Sequence, residues 1–262
     1  MFYHTQQQAL WLTTLLVAMW TFGFSSSTSA NIDIGRDWLA NQAQAQGPYS
    51  TASDLATPFV ATAETLQTLY QLGETTSSQP SMADALDFIN AQEFPNTEHL
   101  SRMLMVNLTA NSMKDVTDWS NALVARLNGA GGGMGDFINY NGMVVDTAWA
   151  LAALARTDII NTATEALYPA IDFLLTQQHE NGGWAYHHNN TSVSATAIVM
   201  HALWPYRHVL SNIPSLNVVT ATDKAQDYLL AQRNGEGLWD ETFDSALACL
   251  ILVRYKLSGA IS

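Results

Sequence analysis

A single cysteine, Cys249, stands among 262 residues, so no disulfide can brace this chain, and the isolated thiol in the run ALACLIL is expected to be a small buried apolar residue on a helix. Charge is scarce as well. Asp, Glu, Lys and Arg make up 13% of the sequence, with only 10 bases against 23 acids. The resulting net charge of −13 repels anionic headgroups and polyanionic sugars, excludes nucleic acid as a partner, and favours neutral or cationic ones. Residues 1–30 contain none of these charged residues. Their apolar stretch from Ala9 to Phe24, followed by the small residues Ser25 to Ala30, reads as an export leader cleaved near Ala30, or as an anchor where it is retained. A secreted or periplasmic protein is therefore expected, with one repeat domain over 31–262. Two-residue alternation with hairpin turns is also missing, which leaves no basis for a β architecture.

Against those absences stands a hydrophobic content of 48%, enough to bury a substantial core. Its apolar positions recur at steps of three and four, as in Leu66, Leu69 and Leu72. That periodicity predicts an all-α chain with helices over 32–44, 54–72, 81–92, 97–111, 115–127, 143–156, 164–178, 192–208, 220–233 and 242–257. Ten helices make about five hairpins.

The helices carry a repeat. Asp37, Asp87, Asp172 and Asp227 are each followed by an aromatic (Trp38, Phe88, Phe173, Tyr228), an aliphatic and, five residues on, a glutamine (Gln42, Gln92, Gln177, Gln232). A degraded copy runs from Asn121 to Arg126. A second unit, a small hydroxyl residue before alanine, recurs at Thr62, Thr147, Thr196 and Ser245. Periods of this length mark a stacked repeat architecture of paired elements.

Between paired helices lie the joints QQHENGGWAY and QRNGEGLWD, with Gln177, Gln178, Gly182, Gly183 and Trp184, then Gln232, Gly235, Gly237 and Trp239. This pattern resembles the repeat of squalene and oxidosqualene cyclases and of protein prenyltransferase β subunits. The resemblance implies an α/α toroid or partial toroid, with first helices outside and second helices inside around a central funnel. It also implies that glutamine, glycine and tryptophan serve the joint itself, the glutamine bridging unpaired helix ends and the indole covering the turn.

The family's chemistry is not retained. Its cyclases use a DxDD motif before Thr-Ala; here the segment is Met143, Val144, Val145, Asp146, Thr147 and Ala148, and Val145 cannot donate a proton. The zinc ligands and the basic diphosphate cluster of the prenyltransferases are missing too. The glycine run 129–135 lacks the lysine and hydroxyl of a phosphate loop and reads as a connector. His179, His187, His188, His201 and His208 cannot all ligate one ion from their positions. No metal or cofactor is expected.

Two functional readings remain. The leading one is a non-catalytic binding or scaffold module whose centre takes a neutral apolar or sugar-like molecule, or a partner surface protein, with a second copy of the chain as a further partner. The alternative is a terpenoid-cyclase-like or polysaccharide-degrading enzyme using carboxylates at inner-helix starts. Asp146, Asp240 and Asp244 are the candidate catalytic residues, and Trp149, Tyr186, His187 and His188 the candidate ligand contacts. Each acid also has a simpler role, since a carboxylate in a first turn caps the helix or meets its dipole.

Overall fold

Apolar residues three and four apart become buried helical faces in the computed structural model, which describes residues 26–44, 47–49, 57–93, 95–112, 115–127, 131–186, 190–211, 213, 215–239 and 242–259. The expected leader therefore falls mostly outside the described residues. Among the described residues ten α-helices of eight residues or more and two single-turn helices follow one another, and the chain divides into two compact units. No helix among the described residues is long and apolar enough to cross a membrane.

The first unit comprises 1–94, 105–114 and 253–262. It holds α1 (Ser26–Ala40), α2 (Pro58–Gln71) and α3 (Ser81–Asn90), with α2 packed against both neighbours. α2 starts at Thr57, whose hydroxyl accepts from the Val60 amide, and Pro58 fits the first helical position where no N–H is needed. Phe59, Ala63, Leu66 and Leu69 form its buried stripe. Asn90 and Asn107 exchange amide hydrogen bonds of 3.3 and 2.8 Å, which satisfies two polar groups at the edge of this core.

The second unit comprises 95–104 and 115–252. α4 (Thr97–Thr109) contributes its first half here and its last turns to the first unit. Then follow α5 (Val116–Val124), α6 (Val144–Leu154), α7 (Ile159–Thr162), a 3-10 turn (Thr164–Leu167), α8 (Tyr168–Thr176), α9 (Val193–Leu203), α10 (Tyr206–Val209), α11 (Val218–Ala231) and α12 (Thr242–Gly259). The second helices α6 and α9 pack on each other and are buried on nearly every face, from Thr147 to Leu154 and from Ser194 to Leu203. First helices α8 and α11 bury one stripe each, such as Ala170, Ile171 and Leu174. A helix apolar all round belongs inside, and a one-sided helix outside.

Three sequence expectations are corrected. The helix expected over 192–208 breaks into α9 and α10 at Pro205, which supplies no amide to continue the ladder. The joint between α8 and α9 contains a two-residue ribbon, β1 (Trp184–Ala185) antiparallel to β2 (Thr191–Ser192), too short to leave an alternating pattern. Cys249 is exposed on α12 rather than buried.

The hydroxyl repeat proves to be a staple. Thr62, Thr147, Thr196 and Ser245 accept the backbone amides of Tyr49, Met134, Trp184 and Trp239 at 2.9, 2.9, 3.0 and 3.1 Å. Each of these amides lies two residues after a glycine with positive φ, namely Gly47, Gly132, Gly182 and Gly237. That conformation strains any residue with a Cβ. At Gly182 the Cβ would also meet the Lys224 carbonyl oxygen at 2.4 Å, whereas at Gly237 it would meet nothing within 4 Å. Gly182→Ala is therefore expected to cost about 2 kcal/mol or more, and Gly237→Ala only the backbone strain of about 1 kcal/mol, in urea unfolding followed by far-UV circular dichroism.

Candidate functional site

All the groups of this site belong to the second unit. Asp146 is the third residue of α6, and neither it nor the N-cap residue Met143 makes a capping hydrogen bond from its side chain. A carboxylate beside a helix N-terminus is ordinarily stabilised in its charged form. Asp146 behaves in the opposite sense. Burial foremost, then the Asp136 and Glu98 carboxylates, push its carboxyl up to about 7 against the opposing Arg126.

Glu98 and Arg102 occupy α4 one turn apart. The Glu98 Oε1 accepts from Arg102 Nε at 3.0 Å and from Nη2 at 2.7 Å. The same guanidinium lies over the Trp149 ring, 4.2 Å from its centroid. Trp149 follows Asp146 by three residues, so indole and carboxyl share one face of α6. The Arg102 side chain is only 7% exposed. A buried cation held between a carboxylate and an indole has little freedom to leave, so it fixes the plane of Trp149.

Arg126 stands where the repeat would have its glutamine. Its Nη1 donates to Thr97 Oγ1 at 3.0 Å and to the Asp136 carbonyl at 3.2 Å, and its Nη2 to the Pro95 carbonyl at 2.6 Å. The longer side chain thus ties the start of α4 to the loop carrying Asp136, which brings Asp136 toward Asp146. Its guanidinium also faces Phe137, and burial lowers its basicity.

Tyr186, just after β1, is hydrogen-bonded to Ser194 of α9. Burial raises its phenol first of all, with Asp244 and Glu98 adding to the rise and Arg102 opposing it. Tyr186 also lines a cavity of about 420 Å³ together with Met143, Val144, Phe173, Gln177 and His179. It is the residue shared by the cavity and the charged cluster. A larger depression of about 640 Å³ around His179, Glu180 and Asn190 is an open surface hollow.

Of the sequence candidates, the structure thus gathers Asp146 and Trp149 on α6 and brings Tyr186 into the field of Asp244, Glu98 and Arg102. Asp240, His187 and His188 lie outside the described residues. Among the described residues no three His, Cys, Asp or Glu side chains converge as metal ligands. Sequence reading missed Glu98, Arg102, Arg126 and Asp136. Two signals were there: a rare arginine inside the apolar run SRMLMV, and another replacing a repeat glutamine.

No family model and no curated protein sequence matches the chain. Solved structures do. A polysaccharide lyase superposes with a TM-score of 0.67 at 13% identity, over 97% of this chain and 91% of its own. An unsaturated glucuronyl hydrolase from Streptococcus agalactiae gives 0.68 at 10% identity, over 97% and 81%. The ent-copalyl diphosphate synthase from Streptomyces platensis gives 0.65 at 18% identity, covering 94% of this chain and 49% of that enzyme. These likenesses show the fold: an all-α chain of the α/α toroid class, shared with a terpenoid cyclase and with carbohydrate enzymes.

Proposed function

We propose that the chain is an exported glycan-cleaving enzyme in which Asp146 is the general acid. The observation that carries this reading is the carboxyl of Asp146, pushed up to about 7 beside two further carboxyl groups. A carboxylic acid still protonated near neutral pH can give its proton to a leaving glycosidic oxygen while neighbouring carboxylates stabilise the positive charge that develops on the sugar; water then adds at that carbon, and its proton passes to a carboxylate. Asp136 and Glu98 supply that second role. Trp149, held flat by Arg102, and Tyr186 at the cavity wall offer apolar faces and a hydroxyl to a sugar ring.

Support also comes from the solved structures of like fold, among which a polysaccharide lyase and an unsaturated glucuronyl hydrolase are covered over most of their length. The cyclase alternative loses ground because Val145 replaces the proton donor of that family's motif. The binding-module reading rests on the retained joints and on the loss of the family's acidic motif, neither of which accounts for the raised carboxyl of Asp146.

The test is a panel of neutral and uronate-containing polysaccharides, assayed for new reducing ends and for unsaturated products by ultraviolet absorbance. Cleavage that disappears in Asp146→Asn is the expected result. Retention of glycans on an affinity gel without any cleavage would return the protein to the binding-module class.

A further inference from the structure

Every joint described above has the form of a socket, and three of the four are filled. A Cβ on Gly47 would lie 2.4 Å from the Asp84 carbonyl oxygen and 3.2 Å from Phe88 Cβ. On Gly132 it would lie 2.6 Å from the Pro169 carbonyl oxygen, and on neighbouring Gly133 it would lie 2.8 Å from the Phe173 ring. On Gly182 it would lie 2.4 Å from the Lys224 carbonyl oxygen, and on Gly183 it would lie 2.9 Å from the Tyr228 ring. In repeat register these partners are the same two positions. Asp84, Pro169 and Lys224 stand three residues before the signature acid of the next first helix, and Phe88, Phe173 and Tyr228 stand one residue after it.

The fourth socket is vacant among the described residues. No atom lies within 4 Å of a Cβ built on Gly237, and Leu238, in the place of Gly133 and Gly183, is 50% exposed. One first helix, α1, has the opposite deficiency. Its residue after the acid is Trp38, 37% exposed where Tyr228 is 5% exposed. Three residues before the acid it carries Ile34, 68% exposed, where α3 and α11 carry the polar Asp84 and Lys224.

We propose that the Gly237–Leu238 joint of one copy receives α1 of a second copy, with Trp38 covering Leu238 and the backbone at Ile34 seated on Gly237. The occupant is set by the repeat itself: the Gly47 joint, which carries Pro48 where the fourth carries Leu238, takes a first helix with an aromatic after its acid, and the chain carries another such helix with its aromatic uncovered. The contact joins two different surfaces, so each copy brings one of each kind to its partner. Copies of net charge −13 repel one another, so added salt strengthens the contact.

Sedimentation velocity of the purified chain over a concentration series tests this. Wild type is expected to self-associate, more so at higher salt. Trp38→Glu and Leu238→Glu, each alone, are expected to be monomeric, and an equimolar mixture of the two to form dimers and nothing larger, because each keeps the surface the other lacks. Thermal melts check that both variants are folded; Trp38→Ser and Gly237→Arg replace either one that is not. A monomeric wild type, single variants that associate like wild type, or a mixture that stays monomeric would overturn the proposal.

Discussion

Asp146→Asn is expected to lower glycan cleavage by roughly 10²- to 10⁴-fold, the usual contribution of a positioned proton donor, and at the same time to stabilise the fold at pH 8. The second effect follows from the direction of the shift. The Asp146 carboxyl is near 4 when unfolded and about 7 in the fold, so between those values the folded state holds a proton that the unfolded state has released. Wild-type stability therefore falls as pH rises through this window, is fully retained below it, and is reduced above it. Asparagine has no charge to bury and escapes that loss. After allowance for solvent screening of a partly buried group, the gain at pH 8 is about 1–2 kcal/mol, vanishing near pH 4. Urea midpoints at the two pH values provide the measurement. Equal midpoint differences at both would show that Asp146 is not held protonated by the fold. Cleavage by wild type should likewise decline as pH rises through 7, when the donor loses its proton.

Trp184→Ala is expected to destabilise the second unit by about 3–5 kcal/mol, the range for deleting a fully buried aromatic. The indole is completely buried, its Nε1 donates to the Leu174 carbonyl at 2.7 Å, and its amide is held by Thr196. The Leu174 carbonyl keeps a second donor, the Gln177 amide at 3.2 Å, so most of the loss comes from the cavity rather than from an orphaned acceptor. Trp184→Phe should retain most of the packing and lose about 1 kcal/mol for the hydrogen bond. Trp239 repeats this geometry with an Nε1 bond of 2.8 Å to Leu229. Its socket is open on one side, so Trp239→Ala should cost less in the same urea unfolding series. Equal losses at the two tryptophans would mean that the filled socket adds nothing.

The fold was legible because its signals are local and repeated. Three- and four-residue spacing placed α2 to α6, α8, α9, α11 and α12 within a few residues, whereas α1 begins six residues earlier than the 32–44 expected. The joint motif identified which helices pair. What escaped notice was either short, as with the ribbon at Trp184–Ala185 and Thr191–Ser192, or dependent on what lies opposite, as with the exposed thiol of Cys249. A helical pattern reports a face, but not whether a neighbour covers it.

The site was legible only in part, for a physical reason. Asp146 and Trp149 lie in one helix turn, so sequence spacing alone can associate them. Glu98, Arg102, Asp136 and Arg126 reach them from α4, the turn after α5 and a loop, through bonds from Arg126 to Thr97, Pro95 and the Asp136 carbonyl that span 29, 31 and 10 residues. The signature acids Asp37, Asp87, Asp172 and Asp227 drew attention first, yet they lie on exposed helix faces, and the acid that the fold sets apart is the one it withdraws from water.

The amide-to-hydroxyl staples have a kinetic side. They join residues 13, 13, 12 and 6 apart, and closing a loop of that size takes on the order of tens to hundreds of nanoseconds. Each turn between helices can therefore be locked by its own threonine or serine before distant parts of the chain meet. Assembly then proceeds by adding preformed hairpins one after another, so that the order of the hairpins along the chain also sets the order in which neighbours become available to dock.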